Sequence, residues 1–305
     1  LILFFCNFVI HEKTFQVMAI QFLRKKFSRV LPSGVPVTLQ AFVGKHQAII
    51  TNNDAEKRKE GIAEMMADCI VSLGNVPNPS KDVLNKLLIN DRAYILFETR
   101  QESNTENDSF TFDYEFASQG KKRKQRYKIE FNKEDFPQRP YKWVHDAMVE
   151  TYRIENELTG DLTQSDFDNL AVLDFPQIYD SYDQMLEDQK KRELILPSCK
   201  VKIEWHLVDV KREDMYTRGK TQTNSHDQLL MRSPMYYEGE KKVVLGVGAL
   251  SQMSIPDIEA IRKSIMETEG NIDTSVVIRY GDDDSTSTQI NLIAIPAFFF
   301  PSLAT

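Results

Sequence analysis

Five histidines, three cysteines and a run of carboxylates are the residues of this 305-residue chain whose types suit catalysis or metal binding. His11, His46, His145, His206 and His226 lack the H-x3-H or H-E-x-x-H spacing that puts two imidazoles on one helical face for zinc. Cys6, Cys69 and Cys199 stand apart and are odd in number, so they write neither a CxxC knuckle nor a closed disulfide framework, and a reducing compartment is the expectation. Asp180, Asp183, Glu187 and Asp188 offer paired carboxylates of the kind glycoside hydrolysis uses, and the same grouping is routine on an acidic helix surface. The stretch GDDDSTST from Gly281 lacks the spaced oxygens and the glutamate of an EF-hand loop. Gly246 and Gly248 lack the third glycine of a dinucleotide fingerprint. The residue types therefore predict no catalytic residue, metal or cofactor and no small-molecule substrate, and they turn attention to protein partners.

Two stretches are candidates for partner binding. IPAFFFPSL sets Phe298, Phe299 and Phe300 between Pro296 and Pro301. Prolines on both sides predict an extended backbone, in which Phe298 and Phe300 share one face and Phe299 takes the other. On one reading Phe298 and Phe300 close the chain's own core beneath a helix bearing Ile258 and Ile261; on the other a ring, Phe299, stays exposed as an anchor. The second stretch is Lys121, Lys122, Arg123 and Lys124, joined by Arg126, at the expected tip of a hairpin in a chain of net charge −7. These cations serve either as a solvated tip that discourages edge pairing or as a dock for an acidic surface. The acidic balance argues against a general nucleic-acid binder, and no aromatic residue interleaves the cations to stack bases.

The elements that must position these residues follow from hydrophobic period. The segment 1–17 is apolar but about half a membrane span, lacks a signal peptide's basic start, and is expected to lie outside the core. Ile62, Met65, Met66, Cys69, Ile70 and Leu73 predict an amphipathic helix capped from Asn53 and ended near Gly74. Ser80 caps a second helix, and NDRAYILFETR from Asn90 continues as a third. Phe110, Phe112, Tyr114 and Phe116 alternate with polar residues, as do Tyr127, Ile129 and Phe131, which predicts a hairpin. Residues 143–192 read as helices broken at Gly160 and Pro176. Ser254, Pro256 and Asp257 open a helix with an isoleucine stripe that stops at Gly270, and SVVIRY with QINLIAI predicts a second hairpin. LPSGVPVTL from Leu31 and LPSCKVKIEW from Leu196 echo each other, each placing Leu-Pro-Ser before a strand, by duplication or by chance recurrence of a strand-opening turn. The fold class expected is α+β, with antiparallel hairpins on amphipathic helices, in units 18–140, 141–195 and 196–305.

The order of these pieces resembles the baseplate hub assembly family of T-even-like tailed bacteriophages, from about Leu31 to Pro301. Its most specific parts are Asp91-Arg92-Ala93-Tyr94-Ile95-Leu96-Phe97 with Arg100 and Ser103, and the terminal aromatic-proline stretch. The resemblance implies a non-enzymatic assembly factor that binds other hub or tail proteins in the infected host's cytoplasm, with no nucleic-acid or membrane partner. A structural component kept in the virion's baseplate is the alternative within that class, and a hydrolase using Asp180–Asp188 the alternative outside it. Many members carry CxxC pairs at the two hairpins, where this chain has FASQGKKRKQ and YGDDDSTSTQ, so no metal carries over.

Overall fold

The computed structural model describes residues 24–51, 55–103, 109–118, 121–131, 135–217, 225–281 and 287–299. The apolar segment 1–17, Asn53, Phe300 and the acidic turn 282–286 lie outside them. The fold is α+β. β1 (Lys26–Val30) and β2 (Pro36–Gln40) form an antiparallel hairpin, α1 (Gly44–Ile50) and α2 (Ala55–Cys69) follow, and β3 (Ile70–Leu73) and β4 (Val76–Pro77) complete a sheet of order β1-β2-β3-β4. Ile70–Leu73 is thus a strand rather than the helix's last turn. Val37 pairs with Leu73, β-branched Ile70 and Val71 suit the pleat, and Gly74 turns the chain at φ 55°.

After α3 (Lys81–Leu84), helix α4 (Ile89–Ser103) runs through the centre of the molecule, and Tyr94 to Arg100 are buried without a break. A helix buried all round must satisfy its own charges. Glu98 takes the Arg29 guanidinium at 2.7 Å, Arg100 donates to the Phe298 carbonyl at 2.9 Å, and Ser103 accepts the Phe42 N–H at 2.7 Å. β5 (Ser109–Ser118) and β6 (Lys121–Glu130) then form a two-stranded ribbon, paired from Ser109↔Glu130 to Ser118↔Lys121. β7 (Gln138–Arg139) leads to α5 (Lys142–Glu155), α6 (Gln164–Ala171) and α7 (Tyr182–Gln189).

The rest of the chain repeats the opening order. β8 (Lys191–Ile195) and β9 (Lys202–His206) form a hairpin, α8 (Val210–Thr217) and α9 (Ser225–Met231) follow, and β10 (Met235–Glu238) and β11 (Lys241–Val244) complete a sheet of order β8-β9-β10-β11. Helices α10 (Val247–Gln252) and α11 (Ile255–Thr268) come next, then β12 (Asn271–Ile272), which pairs with β7, the hairpin of β13 (Ser275–Arg279) and β14 (Ser287–Asn291), and α12 (Pro296–Phe299).

The two Leu-Pro-Ser echoes occupy the same place in the two halves, the turn between the first two strands. Leu31 N–H reaches the Val35 carbonyl and Leu196 N–H the Val201 carbonyl, both at 2.9 Å. The Ser33 N–H donates to Asp91 at 3.1 Å across 58 residues; the Ser198 N–H donates to Asp257 at 2.8 Å across 59. Asp91 and Asp257 are each the third residue of the second helix after the sheet, in Ile-Asn-Asp and Ile-Pro-Asp. Shared topology, turn, hydrogen bond and spacing assign the echo to an internal repeat.

The halves do not keep separate cores. One cluster joins Leu31, Val37, Met65, Phe97 and Phe110 to Tyr182, Met185, Trp205, Leu292 and Phe298, so it draws on all three expected units. Leu196, Ile203, Leu229, Leu245, Leu250 and Ile261 form a second cluster within the second half, and Val144, Met148 and Leu170 a third between α5 and α6.

Candidate protein-binding surfaces

Phe298 and Phe299 are not surface anchors. α12 makes their backbone helical rather than extended, because Pro296 falls at the helix's first position, where a missing N–H costs nothing. Both rings are buried, at 0% and 2% exposure. Phe298 packs on Phe110 at 5.7 Å and Phe131 at 5.6 Å, and Phe299 meets Phe42 edge-on at 5.9 Å. The Arg100 guanidinium lies 3.9 Å from the Phe131 ring centre while donating to the Phe298 carbonyl. Phe298 therefore closes the core against α4 and the ribbon, not beneath the Ile258 and Ile261 helix.

The basic cluster also sits differently from expectation. Lys121, Lys122, Arg123 and Lys124 belong to the paired strand β6, with only residues 119 and 120 left between the strands. Alternation gives this ribbon two unlike faces. Phe110, Phe112 and Phe116 are buried on the inner one, where Tyr280 packs on Phe116 at 5.7 Å and Gly281 N–H donates to Gln125 at 3.0 Å. The outer face carries Asp113, bonded by Arg126 at 3.0 Å and Lys124 at 2.9 Å. Those two cations, Arg126 first, pull the Asp113 carboxyl down to about 2. The two hairpins thus meet side by side.

The carboxylates proposed for hydrolysis lie exposed on and just before α7, with Asp183 paired to Lys86 at 2.8 Å and Asp180 accepting from Gln177 at 2.6 Å. They lack the water-excluded setting that separates the roles of a glycosidase pair.

A closer approach to a reactive constellation joins residues distant in sequence. His46, Asp68 and Cys69 place ligand atoms within 4.8 Å of one another. Each atom is already committed. The Val43 N–H donates to His46 Nδ1 at 3.2 Å, His46 Nε2 lies 3.0 Å from Asp68, and Asp68 also holds Arg24 at 2.6 Å and Lys45 at 2.7 Å. Burial keeps His46 below its ordinary pKa and raises the Cys69 thiol to about 12. Two cations at the carboxylate and a protonated thiol fit neither a metal ion nor a nucleophile. Spacing in sequence gave no sign of this cluster, because α1 and the end of α2 bring it together.

Comparison with known proteins finds no matching family, no similar curated protein and no similar solved structure. No helix among the described residues is long and apolar enough to cross a membrane.

Proposed function

We propose that the chain is a non-enzymatic assembly factor for the baseplate hub of a contractile phage tail, working in the infected host's cytoplasm and binding other hub proteins through the basic half of the β5–β6 ribbon. One observation carries the binding role: five cations fall within six consecutive residues, Lys121 to Arg126, on a ribbon that forms its own two-stranded sheet in a chain of net charge −7. Each strand has ten residues, so the ribbon is roughly 33 Å long. The register places Lys122, Lys124 and Arg126 in the rows opposite the aromatic face, and Lys121 and Arg123 in the rows of Ser118 and Phe116, so the face free of aromatic residues carries three of the five cations to read an acidic protein surface rather than to stack bases.

The baseplate itself enters through the resemblance of Asp91–Phe97, Arg100 and Ser103. Packing of α4 accounts for the burial of Asp91, Tyr94 to Phe97 and Arg100, so these residues build the fold rather than a surface, and the baseplate reading rests on the resemblance alone. Quantitative mass spectrometry of infected-cell lysate beside purified particles tests the role. An assembly factor is found in lysate and missing from particles; stoichiometric presence in particles makes it a structural component and defeats the proposal.

A further inference from the structure

We propose that a groove in the second half docks a tyrosine-bearing, acidic segment of a partner protein, with the chemistry that residues 178–182 supply to the matching surface of the first half. The internal repeat carries the argument, because the same surface is covered in one half and, among the described residues, open in the other.

In the first half the chain's own segment Ile178-Tyr179-Asp180-Ser181-Tyr182 lies along the Leu-Pro-Ser turn. Ile178 and Tyr179 N–H groups donate to the Gly34 carbonyl at 2.8 and 3.1 Å, and the Asn75 N–H donates to the Asp180 carbonyl at 2.9 Å. The Tyr182 hydroxyl donates to Asp91 at 2.7 Å and accepts the Leu88 N–H at 2.8 Å. The fit is tight at both glycines: a Cβ on Gly74 would lie 2.5 Å from the Asp180 carbonyl oxygen, and one on Gly34 3.1 Å from Ile178.

The second half keeps the receiving surface without the segment. Asp257 holds the Ser198 N–H at 2.8 Å as Asp91 holds Ser33, and where Asp91 takes a tyrosine hydroxyl Asp257 takes the Ser254 hydroxyl, at 2.8 Å, and the side chains of Ser198 and Cys199. Gly239, which turns β10 into β11 as Gly74 turns β3 into β4, has nothing within 4 Å of an added Cβ. Cys199, next after Leu-Pro-Ser as Gly34 is, lies exposed. A groove of 540 Å³ opens there, lined on the sheet side by Ile203 of β9 and Tyr236 of β10, which pair, with Leu196 just past β8 and Leu245 just past β11. Ala249 and Met253 also line it, as does Val201, 37% exposed, and the next-but-one and next residues in sequence to lining residues, Val247 and Ile255, are 58% and 77% exposed. Exposed aliphatic side chains around an apolar concavity mark an interaction site.

Charge selects the occupant. The groove's one carboxylate, Asp257, is satisfied from within, and Lys200 is exposed beside Cys199. Residues 178–188 carry Asp180, Asp183, Glu187 and Asp188 around their tyrosines, and in the first half Lys86 already pairs with Asp183. An acidic tyrosine segment therefore suits both floor and border. This rests on the protein-binding reading only in taking the occupant to be a protein, and the groove shares no residue with the ribbon.

The probe is a fluorescent peptide of residues 174–189, DFPQIYDSYDQMLEDQ, titrated into the full chain and followed by anisotropy. We expect saturable 1:1 binding that weakens at least tenfold when Tyr179 and Tyr182 of the peptide are both changed to alanine, which removes the rings an apolar groove would take. Ala249→Trp or Cys199→Trp in the protein, each filling the groove, should weaken it at least tenfold with the melting curve unchanged. Cys199 is exposed, so its variant keeps the test valid should Ala249→Trp misfold. Neutralising Lys121 to Lys124 should leave peptide binding unchanged, which separates failure of this inference from failure of the ribbon's role. Absence of saturable binding, or binding indifferent to both tryptophans, overturns the inference. Self-association abolished by those tryptophans would give the groove to a second copy and overturn the partner assignment.

Discussion

Asp91 concentrates the energetics of the first half in one carboxyl. Burial raises its pKa to about 6 against an ordinary 3.8, although the Tyr182 and Ser33 hydrogen bonds pull the other way. A folded pKa above the unfolded one means that the proton stabilises the fold. The contribution is fully present below about pH 4 and is lost as pH rises through about 6. Two pKa units correspond to about 3 kcal/mol. Urea denaturation of the protein and of Asp91→Asn should therefore show wild-type stability falling relative to the variant by up to that amount between pH 4 and 7. Parallel pH profiles would contradict this. Asp257, its counterpart in the open groove, is held below the ordinary carboxylate range: burial works to raise it, and the Ser198 and Ser254 hydrogen bonds outweigh that. Phe298 sets a second scale. It is wholly buried among Phe97, Phe110 and Phe131, so Phe298→Ala should cost roughly 3–5 kcal/mol of stability in chemical denaturation. Phe299→Ala should behave alike, and a Phe299→Ala protein of native stability would show that its ring is not part of the core.

Among the elements, those with a clear period were legible and those decided by distant partners were not. The alternation from Phe110 to Phe116 and from Tyr127 to Phe131 specified the ribbon, and Ser254 with Pro256 and Asp257 specified the start of α11, where Ser254 accepts the Asp257 N–H. Ile70 to Leu73 carried a helical stripe, but pairing with β2 won, as tertiary context commonly does over local preference. Pro296 predicts a brake on regular structure in sequence, yet proline is also a favoured first residue of a helix, so two rings that an extended chain would separate go into the core together. The basic cluster looks like a loop in sequence because β6 has no apolar residue before Tyr127, and backbone pairing extends the strand regardless. Its consequence belongs at this scale. If the ribbon docks an acidic partner, changing Lys121, Lys122, Arg123 and Lys124 to glutamine should slow association and flatten its salt dependence while changing dissociation little. Stopped-flow binding at 50 and 300 mM salt reads both rates, and equal association rates for the two proteins would return the cluster to a solvated role.

Over the whole molecule, the repeat explains features that the sequence showed only as a three-residue echo. Leu-Pro-Ser was visible twice; the paired aspartates 58 and 59 residues downstream were the missing half of the signal, hidden because Asp91 and Asp257 look alike only once Ser33 and Ser198 are seen to hold them. The boundaries expected at 140 and 195 follow changes of composition. Packing follows another logic, since β13, β14 and α12 return to the first half's core and the segment before α7 seals that half's turn. What results is a first half closed by its own chain, a second half with an open groove, and a basic ribbon. The claim that joins them is that this chain works by holding other proteins. The most direct test is affinity purification of the tagged chain from infected cells, with quantitative mass spectrometry of what accompanies it, for the native protein and for the Lys121–Lys124 glutamine variant side by side. The account predicts baseplate hub proteins enriched with the native chain and reduced at least tenfold with the variant. Equal recovery of those proteins with both, or their absence from both, would contradict it.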